Sequence, residues 1–172
     1  MVFPAQGLGG AGGTGGGRVS AAELGAKARA LLRASQRATL ATLLDGAPYA
    51  SLVLVAEDED AAPLLLLSDL AEHAKNLKRD ARASLLIDGT AGLAEPLAGP
   101  RVTLLGTIGR SAEPRLKTRF LARHPGAATY MNFKDFACYR MEVTRAHLVE
   151  GFGRIDWISG QDFLLAAAAK GS

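Results

Sequence analysis

The step Asp45-Gly46 stands between two β-prone apolar runs, residues 38–44 and 49–56. Asp-Gly accepts the positive φ angles of a tight turn, so this placement predicts an antiparallel hairpin. The Ala47-Pro48 that follows is expected to widen its loop. Four more strand-like runs follow: 64–67 after the acidic stretch 57–60, then 83–87, 101–110 and 137–149. In the last of these Tyr139, Met141 and Val143 alternate with Cys138, Arg140 and Glu142, the period of a strand with one buried face. Gly106 and Gly109 predict bulges or bends in the fifth run. Hairpin connections outnumber helical crossovers, which rules against a repeated strand-helix-strand unit. The pattern predicts a mainly β (α+β) protein, a six-stranded antiparallel barrel with short helices at its ends.

The helices are marked by their caps. Ser20 and Glu23 form a capping-box pair ahead of Leu24, Ala28, Leu31 and Leu32, predicting a helix to about Ala34. Ser68-Asp69 are placed to cap a short helix with Leu70, Ala74 and Leu77 on one side. Pro114 opens a third helix that stops at His124-Pro125. Gly151-Phe152-Gly153 breaks the long strand, and 162–169 is read as a final short helix or tail. Residues 5–17 carry eight glycines and few apolar side chains. They are read as part of a disordered tail, 1–19, because such a segment cannot offset its ordering entropy by burial. They lack the spaced glycines and the Gly-Lys-Ser/Thr ending of a phosphate loop. One domain is therefore expected over 20–158, followed by a C-terminal tail or short helix over 159–172.

Composition narrows the function classes. Lys and Arg exceed Asp and Glu by 20 to 17, a margin too small to argue for a nucleic-acid partner. The lone Cys138 cannot close an internal disulfide, and on a strand it is read as a buried thiol. No run reaches the roughly 18 apolar residues of a membrane span, and no signal peptide is evident. A soluble cytoplasmic protein is expected. His73, His124 and His147 are far apart, without Cys or carboxylate at ligand spacing, so no structural metal site is predicted. Any one of them suffices as a haem ligand. The basic residues Arg115, Lys117, Arg119 and Arg123 either attract an anion or simply face water.

The order of elements, with the string from Leu67 through Ser68, His73 and Lys75 to Leu77, resembles the FMN-binding split barrel of the pyridoxamine phosphate oxidase superfamily. The later strings His124-Pro125, Asp135-Phe136 and Gly151-Phe152-Gly153-Arg154 resemble its haem-utilisation subgroup. The resemblance spans about residues 20–157. It implies a split barrel, a homodimer with cofactor between the subunits, and FMN-dependent hydride or electron transfer with a small substrate or electron donor. Haem binding or degradation is the alternative, and a non-catalytic flavin-binding module is a third. Members of the haem subgroup often carry an additional C-terminal domain; with Ser172 soon after the barrel, flavin is the first expectation.

By the same resemblance Arg37, Thr39, Thr42 and Ser51 line the flavin. Ser68, His73, Lys75 and Asn76 serve its phosphate end, and Arg101 lies near the ring. Elementary chemistry agrees at one point: a helix N-terminus offers unpaired N–H groups and a dipole that favour phosphate. The competing reading of Lys75, Lys78 and Arg79 is a solvated face. Two departures matter. Ser51 stands where the oxidase offers an arginine to the phosphate, and Ala56 where it has a substrate-binding lysine. Arg154 and Trp157 follow the glycine break without reproducing the oxidase's C-terminal Trp and Arg. No catalytic acid or base can be named from the chain.

Overall fold

A computed structural model describes residues 19–166. The glycine-rich stretch through residue 18 and the last part of the expected C-terminal segment, 167–172, lie outside those described residues. Helix α1 (Ala21–Ala34) begins with the expected box: the Ser20 hydroxyl accepts from the Glu23 N–H, and the Glu23 carboxylate accepts from the Ser20 N–H. It buries Leu24, Ala28 and Leu32 against the sheet.

Strands β1 (Arg37–Leu44) and β2 (Ala47–Leu54) form the predicted hairpin. Its loop is only Asp45-Gly46, with φ of 50° and 83°, and Ala47 pairs directly with Leu44. The expected widening at Pro48 does not occur. Strand β2 ends the sheet order, and proline is tolerated where one strand edge needs no ladder partner. The second predicted strand also stops early. The Val55 N–H still donates to the Gln36 carbonyl in the β1–β2 register, and the chain then pairs with β4 as the short β3 (Ala56–Glu57). Strand β4 (Pro63–Ser68) pairs with β3 on one side and β7 on the other.

Helix α2 (Glu72–Arg79), β5 (Arg82–Asp88), β6 (Pro100–Ser111) and α3 (Pro114–Arg123) follow, then β7 (Phe136–Glu150), β8 (Ile155–Ser159) and α4 (Gly160–Phe163). Thus the described residues contain eight antiparallel strands where six were expected. The additions are β3 and β8, segments too short to carry a clear periodicity of their own. Gly151 and Gly153, at φ of 105° and 81°, turn β7 back into β8. The register shift between Leu105 and Gly106 is the predicted bulge. Its cause is close packing, since a Cβ at Gly106 would lie 1.9 Å from the Glu142 carbonyl oxygen.

The sheet runs β2-β1-β5-β6-β7-β4-β3, with β8 beside the C-terminal half of β7. Its inner face, from Leu40, Leu85, Ile87, Val102, Leu104, Met141 and Leu148, forms the main core with α1. Each such side chain, fully buried, contributes about 1.5–3 kcal/mol. A second core lies between β4, β7 and α3, from Leu66, Leu116, Phe120, Met131 and Cys138. Strand β2, at one end of the sheet, and β4, next to the last strand at the other, face one another without a hydrogen-bonded ladder, which leaves the barrel split. Among the described residues no helix is long and apolar enough to cross a membrane.

Candidate functional site

The split holds an apolar cleft. Its volume is about 330 Å³, and it is walled by Leu52, Val53 and Leu54 of β2 and Leu66, Leu67 and Ser68 of β4. Ala71 and His73 close one side, Tyr130 and Phe136 the other. The two rings pack 5.0 Å apart, centroid to centroid, so that wall is held rigidly. Apolar walls with few polar groups are the usual make-up of a small-molecule site.

His73 is the one imidazole in the cleft. Its Nδ1 lies 3.1 Å from the Ser51 hydroxyl, which leaves Nε2 for a ligand. Burial pushes the imidazole below its ordinary range, so the neutral form dominates at neutral pH. Ser68 sits at the end of β4, not at a helix N-terminus as expected. Its hydroxyl donates to Asp135 at 2.5 Å and accepts from the Leu70 N–H. Helix α2 starts three residues later than that cap predicts, with Ala71 at its N-cap and no side-chain cap. The hydroxyl accepts from the Leu70 N–H two residues on, so the chain makes a turn there before the helix begins.

The other expected site residues separate into three groups. Thr42 and Asn76 are buried and bonded to each other, Asn76 Nδ2 donating to the Thr42 hydroxyl at 3.1 Å. They fasten α2 to β1 and are closed to a ligand. Lys75 is exposed and paired with Glu72 at 3.3 Å. Arg37, Thr39 and Arg101 lie on the outer face of the sheet, away from the cleft; Arg101 donates to the carbonyls of Leu97 and Gly99. Of the expected set only Ser51, Ser68 and His73 come together. The apolar walls and Tyr130 were missed, because a Leu in a β run carries no sign of which face it will present.

Carboxylates surround the polar end. Asp69 accepts from Lys78, Arg110 and the Tyr139 hydroxyl, and these partners hold its carboxyl below the usual range. No Lys or Arg lines the cleft.

Elsewhere, His124 is buried with Nε2 2.8 Å from the Val55 carbonyl, so it packs rather than ligates. Arg115 and Arg119 serve Asp58, and Arg123 caps α1 by donating to the carbonyls of Arg33, Ala34 and Ser35. Cys138 is buried, and burial pushes its thiol up. Among the described residues no group of three or more His, Cys, Asp or Glu is arranged to hold a metal ion.

An antiparallel barrel left open between β2 and β4, with an apolar cleft in the opening, defines a split-barrel protein of the pyridoxamine phosphate oxidase-like superfamily. The chain belongs to the CREG β-barrel family, whose model matches residues 20–164. It is 34% identical over 116 residues to a chloroplastic haem oxygenase, HOZ, from Arabidopsis thaliana, covering 66% of this chain and 35% of that protein. The structure of a haem-binding protein from Mycobacterium smegmatis superposes with a TM-score of 0.77 at 37% identity, covering 85% of this chain and 60% of that one. The chain therefore spans about a third and three fifths of these two relatives. A putative pyridoxamine 5'-phosphate oxidase from Listeria innocua shares the fold at 15% identity, with a TM-score of 0.59 over 74% of this chain and 98% of that one.

Proposed function

We propose that this protein binds haem in the cleft between β2 and β4, with His73 Nε2 as the iron ligand. The observation that carries the reading is an apolar slot holding one neutral imidazole, its other ring nitrogen fixed by Ser51. The hydrogen bond at the second nitrogen fixes ring orientation, and with Nδ1–H donating to the Ser51 hydroxyl the Nε2 lone pair is left for iron, as ligating histidines require. The haem-binding and haem-oxygenase names of two relatives above 30% identity support the same cofactor. Bound haem supplies iron for oxygen activation. In this chain Leu52, Leu54, Leu66 and Leu67 would pack against part of the macrocycle, and Ser51 would hold the orientation of the imidazole.

FMN is the second reading, favoured by the fold alone. It meets an electrostatic obstacle in this cleft. The arginine position is Ser51, Lys75 is tied to Glu72, and the Ser68 hydroxyl points to Asp135. No Lys or Arg lines the cleft to meet a phosphate dianion. A second copy of the chain as partner belongs to the proposal, since the cleft opens at the edge of an exposed sheet face.

The test is absorption spectroscopy of the purified protein with haemin and, separately, with FMN. A Soret band that saturates with haemin, and shifts in His73→Ala, is the expected result. Flavin uptake without a Soret band overturns the haem assignment. An unaltered Soret band in His73→Ala overturns the ligand assignment.

A further inference from the structure

A second cavity lies where the end of α1 meets β3 and α3. Its volume is about 320 Å³, and none of its lining residues lines the cleft between β2 and β4. Three arginines border it, Arg33 from the last turn of α1 and Arg119 and Arg123 from α3, with one carboxylate, Glu57 of β3. Arg119 and Arg123 are four residues apart, the spacing that sets two side chains on one helix face. The sequence alone left these α3 arginines between an anion and water.

Each arginine is anchored by part of its donor set. Arg33 donates through Nε to Glu57 Oε1 at 2.6 Å. Arg119 donates through Nε to the Glu57 carbonyl at 3.3 Å and through Nη1 to the Glu59 carboxylate at 3.4 Å. Arg123 uses Nη2 on the carbonyls that end α1, at 3.0–3.2 Å. Among the described residues, both terminal nitrogens of Arg33, Nη2 of Arg119 and Nη1 of Arg123 make no hydrogen bond. Glu57 is incomplete in the opposite sense. Its Oε2 is buried without a hydrogen-bond partner, a costly state for an acceptor until a donor reaches it. Spare donors and one spare acceptor therefore belong to the walls of a single cavity, whose remaining lining is Leu32, Ala56 and Ala122.

We infer that this cavity binds a small hydroxycarboxylic acid. The carboxylate accepts from the guanidiniums, whose paired N–H groups match its two oxygens, and the neighbouring hydroxyl donates to Glu57. Charge selects the class. Asp58 and Asp60 are taken up by Arg115 and Arg140, so Arg33, Arg119 and Arg123 stand against Glu57 and Glu59 with a single positive charge in excess. One carboxylate balances that excess. A phosphate dianion overshoots it, and an amino acid, neutral as a zwitterion, leaves it uncompensated. Size agrees, since ligand sites commonly span about 300–1,000 Å³ and this one is at the small end. The apolar side chains leave room for a short hydrocarbon body. This site is independent of the haem reading, because the two cavities share no residue.

Isothermal titration calorimetry of the full chain tests this with an isosteric set: lactate, propionate and alanine, and with inorganic phosphate beside them. Lactate is expected to bind, with propionate, which lacks the hydroxyl, about tenfold weaker. Alanine and phosphate are expected to bind more weakly than lactate. Failure of lactate to bind with a Kd below about 10 mM overturns the site. Equal affinity for propionate overturns the hydroxyl contact, and tighter binding of alanine or phosphate overturns the ligand class. Arg33→Gln removes an exposed side chain and is expected to weaken lactate about tenfold; an unchanged Kd overturns the location. Glu57→Ala is expected to abolish the preference for lactate over propionate while both still bind. A preference that survives, in a variant shown by circular dichroism to be folded, removes Glu57 from the site and overturns the pairing of hydroxyl with carboxylate.

Discussion

Replacing Asp58 by Asn tests how the loop between β3 and β4 is held. The carboxylate is almost fully buried and receives hydrogen bonds from both terminal nitrogens of Arg115, from Arg140 Nε at 3.3 Å and from the Glu59 N–H at 2.8 Å. Arg119 approaches it at 3.6 Å. Removing one member of a buried ion pair costs about 3–5 kcal/mol. Here the Arg115, Arg119 and Arg140 side chains stay 45%, 35% and 31% exposed and rehydrate when released. The expected loss is therefore somewhat below that range, about 2–3 kcal/mol, or about 5–10 °C in Tm for a chain of this length. Burial by itself would raise the Asp58 carboxyl, but Arg115, the Glu59 N–H and Arg140 outweigh it and hold it below the usual range. A depressed folded-state pKa gives stability that is fully present above the unfolded value of about 3.9 and lost as pH falls through the folded value. Wild-type stability should thus fall more steeply than that of Asp58→Asn in this acid range. Urea unfolding at pH 7 and at several points below pH 5, followed by circular dichroism, measures both effects. A loss under about 0.5 kcal/mol at pH 7, or identical acid limbs, would refute this account of the cluster.

Other outcomes follow from packing. Gly106→Ala should destabilise by about 3 kcal/mol, because its Cβ collides with the Glu142 carbonyl at the bulge; a thermal melt unchanged within error would show that the bulge relaxes freely. Asn76→Ala strips the buried Thr42 hydroxyl of its partner and should lose about 1–3 kcal/mol in urea titration. Thr42→Val/Asn76→Leu should recover part of that loss, since it removes both polar groups, including the Asn76 Oδ1 that has no partner among the described residues. Both variants should take up haemin like the wild type if this pair only fastens α2; weakened uptake would return Asn76 to the site.

The chain itself determined most of the scaffold. The Asp45-Gly46 turn, the Ser20/Glu23 box, Pro114 and the alternation through β7 act over a few residues, and each appears where its local chemistry places it. The Gly106 bulge was legible too, because a glycine inside a strand pattern has few other uses. Tertiary structure decided what local chemistry could not. Strand β8 formed because β7 offered it an edge, and the Ser68 hydroxyl joined Asp135 while its turn with the Leu70 N–H put off the helix to Glu72. The same applies to the cofactor residues. Thr39 and Thr42 lie three apart on one strand, yet Thr39 faces outward and Thr42 is sealed beneath α2. A strand's residues alternate between two faces, but which face closes over a core and which meets another surface depends on elements distant in sequence. His73 was visible as an imidazole in the chain; that it would stand in an apolar slot with its Nδ1 held by Ser51 required β2, β4 and α2 to be brought together.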